Sequence, residues 1–257
     1  LHPAQHPALA LQALIDSGRL VRAPGAYDAL SARLVQRAGF EAVYMTGFGA
    51  TASRLGQPDI GLLTQTEMCT HARDMARAVN IPIIADADTG YGGPSNIART
   101  VDEYIQAGVA AIHLEDQVAP KRCGQMAGIR LVDALENERR LRCAVAARGD
   151  RPLIIIGRTD ALPAAGIDEA VDRAARWRDA GVDHDFADEA QSWLKADEPD
   201  VASAPEPAAD QAPAAVQFKA PPPPPRARIR FEAAIRSAEQ DPVILELFRR
   251  ASSLRID

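Results

Sequence analysis

Cysteine is scarce in this sequence, which holds only Cys69, Cys123 and Cys143 among its 257 residues. Three irregularly spaced cysteines are too few for a disulfide framework, and they lack the paired spacing of a structural zinc site. We therefore expect a fold that depends on its hydrophobic core, in a reducing compartment.

Clusters of positive charge and long apolar runs are missing as well. The formal net charge is -6, and basic residues occur only in short pairs such as Arg139 and Arg140, so nucleic acid is not an expected partner. No stretch reaches the length of a membrane span. The amino-terminal residues have no basic segment ahead of an uninterrupted apolar run, which argues against a signal peptide. We predict a cytoplasmic protein with neither a nucleic-acid nor a membrane partner.

Aromatic residues are also few, at 5%, whereas hydrophobic residues make up 47% of the chain. This composition favours the small aliphatic packing of an α/β protein over an aromatic-rich β-sandwich. The length allows one large domain or two modest ones.

Short apolar runs alternate with helical patterns as far as about residue 185. Each run turns polar or acidic at its end, and the five runs are 19–25, 41–47, 81–90, 110–116 and 152–160. Helical patterns cover 28–39, 64–79, 96–108 and 168–181, and several of them end in glycine. Buried strands that alternate with helices predict a parallel sheet of the (β/α)8 barrel type, in which chemistry gathers at the carboxyl ends of the strands.

The pattern changes after about residue 185. We predict a partial barrel domain over 1–188, a disordered Pro/Ala-rich linker over 189–227 and a helical segment over 228–257. At most five complete strand–helix units and the start of a sixth can be found, so the predicted barrel is incomplete after its sixth strand.

Acidic residues follow two of the predicted strands. Asp86 and Asp88 lie two residues apart, so strand alternation predicts that both carboxylates point the same way. Glu115 and Asp116 end the next strand. Clustered oxygen ligands suit Mg²⁺, with Mn²⁺ as a substitute, and Asp59 is a further candidate ligand. The alternative is that these acids cap the helices that follow.

Other polar residues at strand ends are candidates for binding a small acid. Thr46 and Gly47 offer a hydroxyl and backbone N–H groups, or they form an ordinary turn. Arg158 offers a planar donor for a carboxylate, or it pairs with Asp160. In the stretch KRCGQMAGIR, residues 121–130, cations flank Cys123 and would stabilise its thiolate; the alternative is a surface turn.

These motifs together resemble the isocitrate lyase / phosphoenolpyruvate mutase superfamily over about residues 7–188. The resemblance rests on YMTG, ADADTGYGG, HLEDQ, KRCG and GRTDA, which occur in this order. It implies a (β/α)8 barrel, a homotetramer, Mg²⁺, and small 2-hydroxy or 2-oxo dicarboxylate substrates.

The resemblance also implies a role for each matching residue. Asp86 and Asp88 would hold the metal, with Glu115 and Asp59 acting largely through its waters. Cys123, on a gating loop, would protonate the enolate left after bond cleavage, while Lys121 and Arg122 would lower its pKa and bind a distal carboxylate. The substrate-binding residues would be Tyr44, Thr46, Gly47, Gly124, Gln125 and Arg158.

Two departures from the family pattern stand out. Gln125 replaces the histidine that follows Cys-Gly in the lyases, and the seventh- and eighth-strand motifs are absent, with Asp188 or Glu189 as a stand-in for the acid of the sixth strand. We expect an Mg²⁺-dependent carbon–carbon lyase of the methylisocitrate or dimethylmalate type. The alternatives are an oxaloacetate decarboxylase, a phosphonomutase-like enzyme, and a truncated barrel that serves as a binding scaffold.

Overall fold

A computed structural model describes residues 6–185 of the chain. The predicted linker and helical segment, the residues Asp188 and Glu189, and any strand after the sixth lie outside the described residues. No helix in the described part is long and apolar enough to cross a membrane.

Six parallel strands form one sheet in sequential order, β1-β2-β3-β4-β5-β6. The strands are Gly25–Ala26 (β1), Val43–Met45 (β2), Ile83–Asp86 (β3), Ala111–Glu115 (β4), Ile154–Arg158 (β5) and His184–Asp185 (β6). Parallel neighbours in chain order, joined by helices, match the first six strands of a partial (β/α)8 barrel. The predicted fold class is confirmed for this part of the chain.

Eight helices connect or flank these strands in the described residues. They are Pro7–Asp16 (α1), Ala29–Arg37 (α2), Gly47–Leu55 (α3), Gln65–Ala78 (α4), Pro94–Ala107 (α5), Ala134–Arg148 (α6), Ala161–Ala165 (α7) and Ile167–Asp179 (α8). The four predicted helical stretches are confirmed as α2, α4, α5 and α8.

Local sequence explains where these helices begin and end. Asp28 accepts a hydrogen bond from the backbone of Ser31 and closes a capping box at the start of α2. Pro94 occupies the first turn of α5, where a missing N–H costs nothing. Gly108 ends the same helix with φ of 82°, a left-handed conformation that glycine adopts without strain.

The first predicted strand, 19–25, is wrong in its extent. Only Gly25 and Ala26 pair with β2, and Leu20 is 81% exposed. The chain before Gly25 packs elsewhere, because Val21 and Ala23 contact a cluster that includes Leu11 of α1.

The main core lies between the sheet and the surrounding helices, and it is built mainly from alanine, valine, isoleucine and leucine. Its largest side chains are Trp177 and Tyr104. Gly157 in β5 leaves room for Trp177, since a Cβ there would lie 2.8 Å from the indole. Small aliphatic side chains therefore make up most of this core, as the composition predicted, and Gly157 makes space for one of the few aromatics.

Candidate active site

Polar side chains collect where β2 to β5 end. Tyr44 lies in β2, Asp86 ends β3, Glu115 ends β4 and Arg158 ends β5. Parallel strands present their carboxyl ends at one edge of a sheet, so residues far apart in sequence meet there. The candidate active site is at this edge.

Asp86 and Asp88 are brought together by a turn and not by strand alternation, so the reason given for their shared direction is wrong. β3 ends at Asp86, and Asp88 has φ of 47°, an uncommon conformation for a residue other than glycine. The backbone N–H of Asp88 donates to Asp86 Oδ1 at 2.9 Å, and that of Gly47 donates to Asp86 Oδ2 at 3.2 Å. A Cβ on Gly47 would lie 2.5 Å from Asp86 Oδ2, which explains the glycine.

Lys121 lies among the predicted metal ligands, whereas the sequence placed it at a distal carboxylate. Its Nζ donates to Asp59 Oδ2 at 2.7 Å and lies 2.7 Å from Asp88 Oδ1. The side chain is only 4% exposed. Burial alone would lower the pKa of Lys121, but Asp86, Asp88, Glu115 and Asp59 raise it well above its ordinary value. The ammonium is therefore charged and balances part of the carboxylate charge.

The carboxyl group of Glu115 has the fewest close polar contacts in the cluster. Neither of its buried carboxyl oxygens accepts a hydrogen bond from the described residues. Arg158 Nη1 lies 3.5 Å from Glu115 Oε2, beyond ordinary hydrogen-bond distance, while Arg158 Nη2 donates to Asp160 at 2.8 Å. Burial raises the pKa of Glu115 well above its ordinary value.

The other two acids differ in their ionisation. Burial raises the pKa of Asp88 to about 7 despite Lys121. Burial would also raise the pKa of Asp86, but the neighbouring His113, Lys121 and Arg158 lower it below its usual range. The cluster thus holds one firmly ionised carboxylate beside acids that resist ionisation.

His113 was missed by the sequence analysis. It is buried in β4, its Nε2 lies 2.6 Å from the Tyr44 hydroxyl, and the two rings stack with centroids 5.4 Å apart. Burial lowers the pKa of His113 to about 4, so the imidazole is neutral at pH 7. The signal was available, because His113 is two residues before Glu115 and therefore on the same side of the strand.

Polar groups of Thr46 and Gly47 form hydrogen bonds within the protein. Thr46 is the N-cap of α3, and its Oγ1 accepts a hydrogen bond from Gly49 at 3.1 Å. The Gly47 N–H is directed at Asp86. The turn interpretation describes both residues, and their contact with a substrate stays a prediction.

The Cys123 loop, residues 118–130, covers the acidic cluster. The backbone N–H of Cys123 donates to the Asp59 carbonyl at 2.9 Å. Gly124 packs directly on Arg158, because a Cβ there would lie 2.5 Å from Nη2. Gln125 is exposed, and its backbone hydrogen bond to Cys123 opposes the rise of the thiol pKa; contact of its side chain with a substrate stays a prediction. Arg122 is half-buried.

The expected low pKa of Cys123 is wrong. Burial raises the pKa of this thiol above its ordinary value, and nearby Asp59 raises it further, while Lys121 and Arg158 oppose the shift. The sequence showed the cations beside the cysteine but not the burial. A thiol with a raised pKa is protonated at neutral pH, which suits a proton donor and not a nucleophile.

A cavity of about 400 Å³ opens beside these residues. Tyr44, His113, Arg158 and Thr159 form its polar wall, and its apolar wall comes from α7 and α8, with Leu162, Ile167, Ala170 and Ala174. This volume is sufficient for a small organic acid.

The buried carboxylates are ligands of the type that a hard divalent cation prefers, but their side chains are not now arranged around a common metal position. Within residues 6–185, no three His, Cys, Asp or Glu side chains are arranged to hold a metal ion. The ammonium of Lys121 instead contacts both Asp59 and Asp88. The donor set of buried carboxylates, with both Glu115 oxygens free of hydrogen bonds in the described structure, is nevertheless the one that Mg²⁺ prefers.

Comparison with known proteins gives consistent matches. The family model for phosphoenolpyruvate phosphomutase matches residues 11–214. The chain is 49% identical to 2,3-dimethylmalate lyase of Eubacterium barkeri over 176 residues, which are 68% of this chain and 61% of that protein. It is 46% identical to the probable 2-methylisocitrate lyase 2 of Corynebacterium glutamicum over 179 residues, covering 70% of this chain and 58% of the relative.

A solved structure of phosphonopyruvate hydrolase with oxalate and Mg²⁺ superimposes with a TM-score of 0.66 at 35% identity, covering 75% of this chain and 69% of that one. The chain spans about three fifths of the length of the curated relatives it matches. The motifs, the barrel strands and these matches agree, and the chain belongs to the isocitrate lyase / phosphoenolpyruvate mutase superfamily.

Proposed function

We propose that this chain carries the site of an Mg²⁺-dependent carbon–carbon lyase that cleaves a small 2-hydroxy di- or tricarboxylate into a 2-oxo acid and a carboxylic acid. The observation that carries the proposal is the position of Cys123 on a loop that packs against Arg158 and donates to the Asp59 carbonyl, with burial raising the pKa of the thiol. Substrates of the dimethylmalate or methylisocitrate type fit best, because relatives with those names share nearly half of the aligned residues.

Asp86, Asp88 and Glu115 would hold the metal, with Asp59 in support. When bound, Mg²⁺ supplies a Lewis acid that stabilises negative charge on the oxygens of the 2-oxo acid. Lys121 must leave its position between Asp59 and Asp88 for these carboxylates to face a cation, since its ammonium contacts both.

Arg158 would orient the substrate through its carboxylate. Its guanidinium lines the cavity, and the nearby acids keep its pKa above the ordinary value despite burial. A planar guanidinium offers two parallel donors to a carboxylate. Tyr44, with neutral His113 on its hydroxyl, lines the same wall.

Cys123 would act as the acid. The substrate hydroxyl would lose its proton to solvent and become the carbonyl of the 2-oxo acid, while the electron pair of the breaking carbon–carbon bond stays on the departing carbon as an enolate. The enolate carbon then takes the proton of the Cys123 thiol, which leaves a thiolate to be reprotonated by solvent. Burial raises the pKa of this thiol and so keeps the proton on the sulfur until the enolate forms.

Turnover with candidate substrates tests the proposal. The full chain would be incubated with Mg²⁺ and 2-methylisocitrate, dimethylmalate, isocitrate or oxaloacetate, and the 2-oxo acid measured. We expect Cys123→Ser to abolish cleavage while Mg²⁺ and pyruvate binding stay nearly intact. Cys143→Ser is the matched control, since Cys143 lies on α6, outside the site. Equal activity in Cys123→Ser would remove the thiol from the mechanism and favour decarboxylation of oxaloacetate.

A non-catalytic binding scaffold is the second candidate, and Lys121 is the observation that favours it. Its ammonium already neutralises two carboxylates without a divalent cation. In the described part of the chain, β1 and β6 each pair with a single strand, so both are edges. No turnover with any substrate, together with no calorimetric Mg²⁺ binding, would support this reading. A homotetrameric assembly and a cytoplasmic location stay predictions.

A further inference from the structure

Gln117, the last residue of HLEDQ, has a buried side chain with no role in the proposed chemistry. It is 1% exposed and lies two residues after the end of β4, immediately before the Cys123 loop. An amide buried this deeply must satisfy its polar atoms within the protein. Its partners therefore show what it holds.

The side chain of Gln117 binds the backbone of Arg122 on both sides. Its Oε1 accepts from the Arg122 N–H at 2.9 Å, and its Nε2 donates to the Arg122 carbonyl at 2.9 Å. The amide thus binds both the N–H and the carbonyl of one loop residue, as the backbone of a paired strand would do. Because Arg122 immediately precedes Cys123, these bonds also fix the backbone that carries the thiol.

The same amide reaches the far side of the site. Its Nε2 donates to Asp160 Oδ2 at 2.6 Å, so both of its protons are used. Asp160 accepts from Arg158 through its other oxygen, at 3.1 Å from Nε and 2.8 Å from Nη2. Gly124 of the Cys123 loop packs on the same guanidinium, so the loop contacts Arg158 directly as well as through Gln117 and Asp160.

We propose that Gln117 is a positioning residue that clamps the Cys123 loop shut and links the loop, through Asp160, to Arg158. Loss of the clamp leaves the Arg122 backbone and Asp160 Oδ2 without these partners, which favours open states in which Cys123 is exposed. The catalytic meaning of the clamp rests on the proposed function, whereas the clamp itself concerns only the loop.

Site-resolved alkylation tests the clamp in the full chain without any substrate. The sequence contains only three cysteines, so iodoacetamide labelling can be followed for each by mass spectrometry of the peptides. We expect Gln117→Met, which keeps the shape and removes the amide, to accelerate labelling of Cys123 about tenfold, as for a loss of about 1.4 kcal/mol in closing the loop. Cys69 in the core and Cys143 on α6 should label at the wild-type rates.

A second variant and a matched control distinguish opening of the Cys123 loop from destabilisation of the whole fold. Gln117→Glu keeps an acceptor for Arg122 but places a carboxylate against Asp160, and it should open the loop at least as far. Gln65→Met removes another buried amide, one without a hydrogen-bond partner in the described structure, and it should leave Cys123 labelling unchanged.

Two results would overturn the clamp. One is an unchanged Cys123 rate in both Gln117 variants. The other is acceleration at all three cysteines, which would show that the amide supports the whole fold and not the loop. The proposed function fails separately, because faster Cys123 labelling in a chain that cleaves no substrate would keep the clamp and reject the lyase.

Discussion

Replacing Lys121 with methionine should destabilise the chain strongly when no divalent cation is present. Lys121→Met removes the ammonium that lies 2.7 Å from both Asp59 and Asp88 while keeping a side chain of similar length. Both carboxylates are at most 10% exposed, so water cannot replace the lost charge. The remaining acids would then repel one another across a buried site.

The expected size follows from this burial. Removing one partner of a buried ion pair costs about 3–5 kcal/mol. For a protein of this length each kcal/mol lowers Tm by roughly 2–4 °C, so the decrease should be on the order of 10 °C. The full effect requires a pH near 8, because at lower pH the carboxyls can escape the repulsion by taking up protons. Added Mg²⁺ supplies positive charge to the same acids, and it should raise Tm more in the variant than in wild type.

Thermal unfolding of both proteins, in EDTA and in excess Mg²⁺, is the assay. Arg99→Met is the control, since it removes a cation from an exposed pair with Glu103, for which a change of about 0.5 kcal/mol is expected. A Tm for Lys121→Met equal to that of wild type in EDTA would refute the idea that Lys121 neutralises the cluster. An Mg²⁺ response no larger than that of wild type would refute the idea that the ammonium and the metal share these ligands.

Three further results are expected. Gly157→Ala should lower the free energy of unfolding by about 1–3 kcal/mol in a urea titration, because the new Cβ would lie 2.8 Å from Trp177; an unchanged midpoint would contradict this packing. Alkylation of Cys123 should have its pH midpoint above the roughly 8.5 of a free thiol, since burial raises its pKa, and a midpoint below that value would restore the original expectation. Asp28→Ala should cost about 1 kcal/mol by removing the N-cap of α2, and a smaller loss in Asp28→Asn would identify the cap as the cause.

The elements of the fold could be predicted where the sequence pattern is long and regular. The helices α2, α4, α5 and α8 follow from their periodicity and caps, and β2 to β5 from apolar runs between glycines. The first strand could not, because Val21 and Ala23 pack with the cluster that contains Leu11 of α1 instead of pairing with β2, while Leu20 is exposed. A two-residue strand such as Gly25–Ala26 gives no pattern of its own.

Most residues of the site could be predicted from the sequence, but the contacts between their side chains and their burial could not. Motif order places Asp86, Glu115 and Arg158 at strand ends, and parallel topology brings them together. The pairing of Lys121 with Asp59 joins residues 62 positions apart, and no local spacing indicates it. The pKa of Cys123 was predicted in the wrong direction because charged neighbours are visible in a sequence, whereas burial depends on how the loop folds back.

Helix α1 has a practical consequence. Its residues Ala8 and Leu11 pack with Ala42, Ala110 and Ile154, which stand at or just before the points where β2, β4 and β5 begin. Helix α1 thus packs against the amino ends of the strands, on the underside of the sheet, opposite the thiol and the acids. A surface tether attached to the exposed face of α1, for example at Leu9, would lie on that underside, away from the thiol and the acids. Immobilised protein of this kind would suit flow measurements of metal and ligand uptake.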